Sequence, residues 1–252
     1  PATATDMWNV AVGVNAGLSV TTGTQNTYIG GLAGDAATAS VENVAVGYQA
    51  LSADTLGSKS VAVGRMALLS QNLTTATDVY NVAVGHNAGQ QVTTGVNNTL
   101  IGGLAGDALT DADHNVAIGY LALSADTLGS RSIAIGFGTL DAQNFTTATD
   151  SYNIAIGYTA GGAVTTGIRN TLIGGLSGDA LTTGARNTTL GYAALSGDTL
   201  GSRTVAIGYE ALGSQNFTTA TDAYNVAIGY AAGNAVTTGL NNTIIGGLAG
   251  DA

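Results

Sequence analysis

A short apolar pattern returns along the chain at fixed intervals: Asn-Val-Ala-Val-Gly at 9–13, 43–47 and 81–85, Asn-Val-Ala-Ile-Gly at 115–119 and 225–229. Between these stand variants such as Asn-Thr-Leu-Ile-Gly at 98–102 and 170–174. The closing glycines are Gly13, Gly30, Gly47, Gly64, Gly85, Gly102, Gly119, Gly136, Gly157, Gly174, Gly191, Gly208, Gly229 and Gly246, spaced 17, 17, 17 and 21 residues and then the same again. Four rungs thus form a 72-residue super-repeat, starting near 9, 81, 153 and 225, and the 252 residues hold fourteen rungs. Self-similarity of this kind signals a stack of supersecondary units.

Within each pentad the residue before Gly is always aliphatic (Val12, Ile29, Val46, Ile118, Ile156 and their equivalents), and the residue two earlier is Val, Ile or Thr. Alternation of period two puts these positions on one face of a short strand, with the intervening residue, usually Ala, on the other. Fourteen short strands follow, one per rung. The fold class predicted is all-β, a parallel β-solenoid (β-roll) of rungs of 17 or 21 residues, with the always-aliphatic column expected in the core and 1–252 forming a single repetitive array.

Other columns predict how the rungs lock. The leading Asn (Asn9, Asn26, Asn43, Asn81, Asn98, Asn115) suggests a ladder of stacked amides, broken by Ser60, Ser132 and Thr204 in the fourth rung. A small residue recurs seven places after it, as at Ala16, Ala33, Ala50, Ala67, Ala88 and Ala105. Twelve places after it stands a second polar column, Thr21, Thr38, Thr55, Asn72, Thr93 and onward. Register is therefore specified several times per turn, since a slip of one residue would reverse every face. The invariant Gly predicts a positive φ or a close backbone approach, and the inserted segments Leu73–Asp78, Phe145–Asp150 and Phe217–Asp222, which hold the four extra residues of the fourth rung, are expected as lateral bulges.

Composition narrows the function. Gly is 38 of 252 and charged residues are only 9%, too few large apolar groups for a thick core yet too much Val, Ile and Thr for disorder. A net charge of −10 with six Lys and Arg argues against nucleic acid and anionic lipid as partners. No apolar run reaches membrane-spanning length. The absence of Cys removes disulfides and thiolate metal sites, which fits an extracellular protein without proving the compartment.

The pentads at 43–47, 60–64, 115–119 and 225–229 resemble the head repeats of trimeric autotransporter adhesins, and the stretches at 94–102 and 166–174 are similar to repeats of bacterial and phage tail-fibre proteins. That resemblance implies a left-handed parallel β-roll in which three chains pack side by side, displayed at a cell or virion surface against a matrix component, cell-surface glycan or other receptor. A different reading is a subunit that stacks end to end into an extracellular filament or sheath. Residues 1–8 resemble the end of a fourth rung and 242–252 an interrupted second rung, so a head-to-tail junction with Pro1 at a turn is expected on that reading.

Candidate chemistry is sparse. Asp35, Asp107 and Asp179 lie in GGLxGDA turns that partly resemble calcium-binding repeats, but they recur every 72 residues instead of every nine, and turn chemistry accounts for Asp there. Tyr48, Tyr120 and Tyr192 follow the strand-end Gly, and Trp8, Tyr80, Tyr152 and Tyr224 precede the first rung of each super-repeat. Both aromatic stripes are expected as surface or interface contacts, for a second copy or for sugar rings. His86 and His114 have no partner at metal spacing. No cofactor is expected and no catalytic constellation breaks the repeat, so the chain reads as a structural protein and not an enzyme. The Thr column also permits an ice-binding reading, against which Asn72, Asn144 and Asn216 interrupt it.

Overall fold

The computed structural model describes residues 6–251; the expected turn at Pro1 lies outside them. Among the described residues there is no helix; fourteen three-residue strands, one per rung, pair in parallel and make the chain a β-solenoid, and six two-residue strands pair beside them in the third and fourth rungs of each complete super-repeat. The chain divides into two compact units, 1–115 and 116–252. In the first, Val10–Val12, Thr27–Ile29, Val44–Val46, Val61–Val63, Val82–Val84 and Thr99–Ile101 follow one another in the ladder. In the second, the order is Val116–Ile118, Ile133–Ile135, Ile154–Ile156, Thr171–Ile173, Thr188–Leu190, Val205–Ile207, Val226–Ile228 and Thr243–Ile245. Register follows the sequence columns, with Ala45 opposite Ala62 and Ala134 opposite Ala155.

The strand faces are the reverse of the sequence expectation. Ala45, Ala62, Ala83, Ala117, Ala134, Ala155, Ala206 and Ala227 are fully buried, whereas Val and Ile on either side are half-buried or exposed. Ile118 and Ile156 therefore face outward and are not core residues. The physical reason is volume. A closed rung of so few residues encloses a thin interior, and a close-packed interior is filled to its limits by methyl groups at this column. Branched side chains are left to the outside. Where the central strand residue is large, glycine makes room: an added Cβ at Gly161 or Gly178 would come within 2.7 and 2.9 Å of the buried Leu172.

The remaining core comes from the turns after each strand. Ala33, Ala50, Ala67, Ala88 and Ala105 are buried as the small column predicts, joined by Leu51, Leu68, Leu123, Leu140, Leu195 and Leu212. Gly157, at the end of its strand, combines φ of 135° with an approach in which an added Cβ would lie 2.6 Å from the Gly174 carbonyl. Both demands exclude a side chain there.

The Asn ladder is present and is buried. Asn26 Oδ1 accepts the backbone N–H of Asn43 at 2.9 Å, and Asn43 Oδ1 accepts that of Ser60 at 2.8 Å. Each amide also donates across its own rung, Asn43 Nδ2 to the Gly57 carbonyl at 2.8 Å and Asn98 Nδ2 to that of Ala112 at 2.7 Å. The Thr ladder is present too: Thr21 donates to the Thr38 carbonyl at 3.1 Å and Thr38 to that of Thr55 at 3.0 Å.

The insertions are only partly bulges. Leu73, Phe145 and Phe217 turn into the core, and Thr77–Asp78 rejoins the stack by pairing with Gly57–Ser58. The exposed part is Thr74, Thr75, Ala76 and Asp78 in the first copy. An apolar side chain opening the insertion pulls it inward, because leaving Leu or Phe in water forfeits roughly 1.5–3 kcal/mol of burial.

Candidate interaction surface

Each rung presents its strand outward as a β-branched or aliphatic pair flanking the inward-facing central residue, which is Ala in nine of the fourteen three-residue strands. In the first unit these pairs run Val44 and Val46, Val61 and Val63, Val82 and Val84; in the second Ile133 and Ile135, Ile154 and Ile156, Val205 and Ile207. Neighbouring rungs cover them only in part, leaving Leu190 at 48% and Ile228 at 37% exposure. Stacked in register, they form in each unit an uncharged sheet face whose column before the strand-end Gly is aliphatic throughout, while the other column carries Thr27 and Thr99 in the first unit and Thr171, Thr188 and Thr243 in the second. Isolated exposed apolar residues are ordinary, but an ordered column of them is the signature of an interface.

Along the strand-end margin of this face run aromatic ladders. Tyr120, Phe137 and Tyr158 stack with centroid separations of 5.7 and 5.4 Å, and Tyr192, Tyr209 and Tyr230 with 5.5 and 5.3 Å. Rings that stack on one another spend their faces within the ladder and turn their edges outward. Tyr120 and Tyr192 are exposed, as is Tyr48, so these three sequence candidates lie at the surface.

Along the opposite margin, two residues before each strand, Tyr80, Tyr152 and Tyr224 each join a cation and a carboxylate. Lys59 Nζ donates to Asp78 at 2.6 Å and stands 5.3 Å from the Tyr80 ring centroid. Arg131 pairs with Asp150 and lies 5.9 Å from the Tyr152 ring. Arg203 pairs with Asp222, donates to the Tyr224 hydroxyl at 2.7 Å and lies 5.4 Å from its ring. Hydrogen bonding to Asp78 raises the Lys59 ammonium further above its ordinary range. The three tyrosines are half exposed and Trp8 is 70% exposed.

The polar candidates separate. Asp35 accepts a 2.6 Å hydrogen bond from Ser52, while one carboxylate oxygen of Asp107 and of Asp179 is buried without a hydrogen-bond donor. Burial pushes both carboxyls up. Among the described residues no three acidic or histidine side chains gather to hold a metal ion. His86 faces Arg65 at 3.4 Å, and the Thr hydroxyls at Thr21, Thr38 and Thr55 are spent on the next rung.

Sequence reasoning missed two features. One is the outward aliphatic face, hidden because an alternating pattern does not say which side is inside. The other is a basic column: Lys59, Arg131, Arg169, Arg186 and Arg203, five of the six Lys and Arg, all stand two residues before a strand. Tabulating the residue before each ladder Asn would have found it. Compared with family models, with curated proteins and with solved structures, the chain matches none.

Proposed function

We propose that this chain is a segment of an extracellular fibre, adhesive and not catalytic, in which three copies lie side by side and parallel with their aliphatic sheet faces turned toward one another. The observation that carries the reading is the outward Val and Ile column of each unit. A soluble chain that devotes its most apolar strand positions to the exterior gains when a second copy removes them from water, at roughly 25 cal/mol per Å². Parallel packing supports a ring over a two-fold dimer. Copies that share one polarity bring unlike sides of the aliphatic face together, the heterologous contact that closes into a cyclic oligomer, and the Lys or Arg margin stays at the outer rim, outside that contact. Resemblance to trimeric adhesin heads points to three.

Sedimentation and native mass measurement of the 252-residue chain test this reading. A trimer that Ile118→Asp combined with Ile156→Asp converts to a folded monomer is the expected result. A wild-type monomer at every concentration overturns it, and end-to-end filaments without lateral association favour the filament subunit instead.

A further inference from the structure

In the second unit, the strip two residues before each strand reads Arg131, Tyr152, Arg169, Arg186, Arg203 and Tyr224 in consecutive rungs. Backbone bonds hold the strip straight: the Arg169 N–H donates to the Ser151 carbonyl at 2.8 Å, Arg186 to Ile168 at 3.0 Å and Arg203 to Ala185 at 3.0 Å. All six residues share the left-handed conformation, with φ between 51° and 62°. Successive side chains therefore leave the backbone in the same direction, about 4.8 Å apart.

The outer members are already neutralised, Arg131 by Asp150 and Arg203 by Asp222. Arg169 and Arg186 are exposed, and among the described residues neither has a carboxylate within ion-pair distance. The repeat does not demand them. The equivalent positions are Gln25 and Glu42 in the first super-repeat and Asn97 and His114 in the second. Two unpaired guanidiniums on adjacent rungs, in a chain of net charge −10, are a local feature added to the repeat and not a product of it. The acidic residues Asp141, Asp179 and Glu210 lie beyond the other end of their strands, so they do not face the strip along its margin.

We propose that this strip binds a linear, carboxylate-bearing polysaccharide, with Arg169 and Arg186 gripping its anionic groups and Tyr152 and Tyr224 meeting sugar rings on either side. Guanidinium matches carboxylate in a planar, two-point geometry that a lysine would not reproduce. Exposed tyrosines offer apolar area with a polar tip, as sugar-contacting surfaces require. No cavity opens among the described residues, so an extended chain lying along the rungs fits and a small enclosed ligand does not. Nucleic acid fits less well: its affinity comes from neutralising many phosphates, and two free cations on an acidic protein supply little of that.

The proposal rests on the adhesive reading above, and binding and assembly are followed separately. Alginate oligosaccharide is titrated into the full chain at low salt, with neutral dextran and a single-stranded oligothymidylate as comparisons. Alginate is expected to bind in preference to both and to weaken with added salt. Arg169→Glu with Arg186→Glu is expected to cost about tenfold or more, while Arg65→Glu, the one basic site outside the column, leaves affinity unchanged. Sedimentation and thermal melting of the double variant stay at wild-type values. Failure to bind alginate, equal loss in Arg65→Glu, tighter binding of the oligothymidylate, or dissociation of the assembly by the double variant each overturns the proposal.

Discussion

Gln71 Nε2 donates a 2.6 Å hydrogen bond to Asp54 Oδ2 across two rungs, inside the solenoid. The same amide donates to Ser60 Oγ at 3.1 Å, and its Oε1 accepts from Asn81 Nδ2 at 3.0 Å. Ser60 is where the Asn ladder is interrupted, so a glutamine from farther along the fourth rung bridges the gap. The arrangement recurs with Gln143, Asp126 and Asn153 and with Gln215, Asp198 and Asn225. Asp54 Oδ1 meanwhile accepts the Gly57 and Leu73 N–H groups at 3.0 and 3.4 Å, which joins the insertion to the preceding rung.

A pH dependence follows from this network. Burial, partly offset by these donors, pushes the Asp54 and Asp126 carboxyls above their ordinary value. A carboxyl raised on folding takes up protons more readily in the folded state. Its stabilising contribution is full below the unfolded value, near 4, and is lost as pH rises through the folded one. Thermal stability is therefore expected to be greater in mild acid than at neutral pH, opposite to a protein held by exposed ion pairs. Replacing Asp54 and Asp126 with Asn makes the profile shallower, the remainder coming from the raised Asp107, Asp141 and Asp179. A melting temperature that falls steadily from pH 7 to pH 4 contradicts this.

The strand faces make a second prediction. Ala117 is fully buried between outward-facing Val116 and Ile118. Ala117→Asp places a charge where no partner exists and is expected to abolish folding, since an unpaired buried carboxylate costs several kcal/mol. Ile118→Asp puts the same charge at the surface, where an isolated chain tolerates it within about 1 kcal/mol. Circular dichroism melts of the two variants, compared as monomers, separate the faces; equal loss from both contradicts the assignment.

Which parts of this were legible from residues alone has a physical explanation. Rung length, register and both polar ladders were readable because each is enforced once per rung: Asn43 and Thr38 stand where the columns put them and bond where ladder geometry requires. The inside of the strand was not, because hydrophobicity favours Val over Ala for burial in an ordinary core, and only the narrowness of a closed rung reverses the choice. Tyr80 and its equivalents were found as a stripe, but their pairing with Lys59, Arg131 and Arg203 joins residues 21 apart across a 21-residue rung, a relation invisible until the insertion is closed. The Arg169 and Arg186 column was missed for a simpler reason: few charges on an acidic chain read as dispersed until folding lines them up.

The strand-end glycines give the last prediction. Gly157 has φ of 135°, outside the region comfortable for L-residues, and an alanine Cβ there would meet the Gly174 carbonyl at 2.6 Å. The atoms met are all backbone of the next rung, which cannot yield as a flexible side chain would, and the backbone conformation alone costs of order 1–3 kcal/mol. Gly175, which follows Gly174 in the next rung, has ordinary φ, and a Cβ added to it would meet only the Tyr192 ring at 3.5 Å and backbone at 4.0 Å. In other rungs that position carries Tyr48, Arg65, His86 or Tyr192, so the backbone there accepts large side chains. Gly157→Ala is expected to lower stability by more than about 2 kcal/mol, whereas Gly175→Ala is neutral or slightly stabilising because it narrows the unfolded ensemble. Denaturant titration of the two variants checks the contrast. Equal destabilisation would mean that the close stacking of strand-end glycines is not what keeps the column free of side chains.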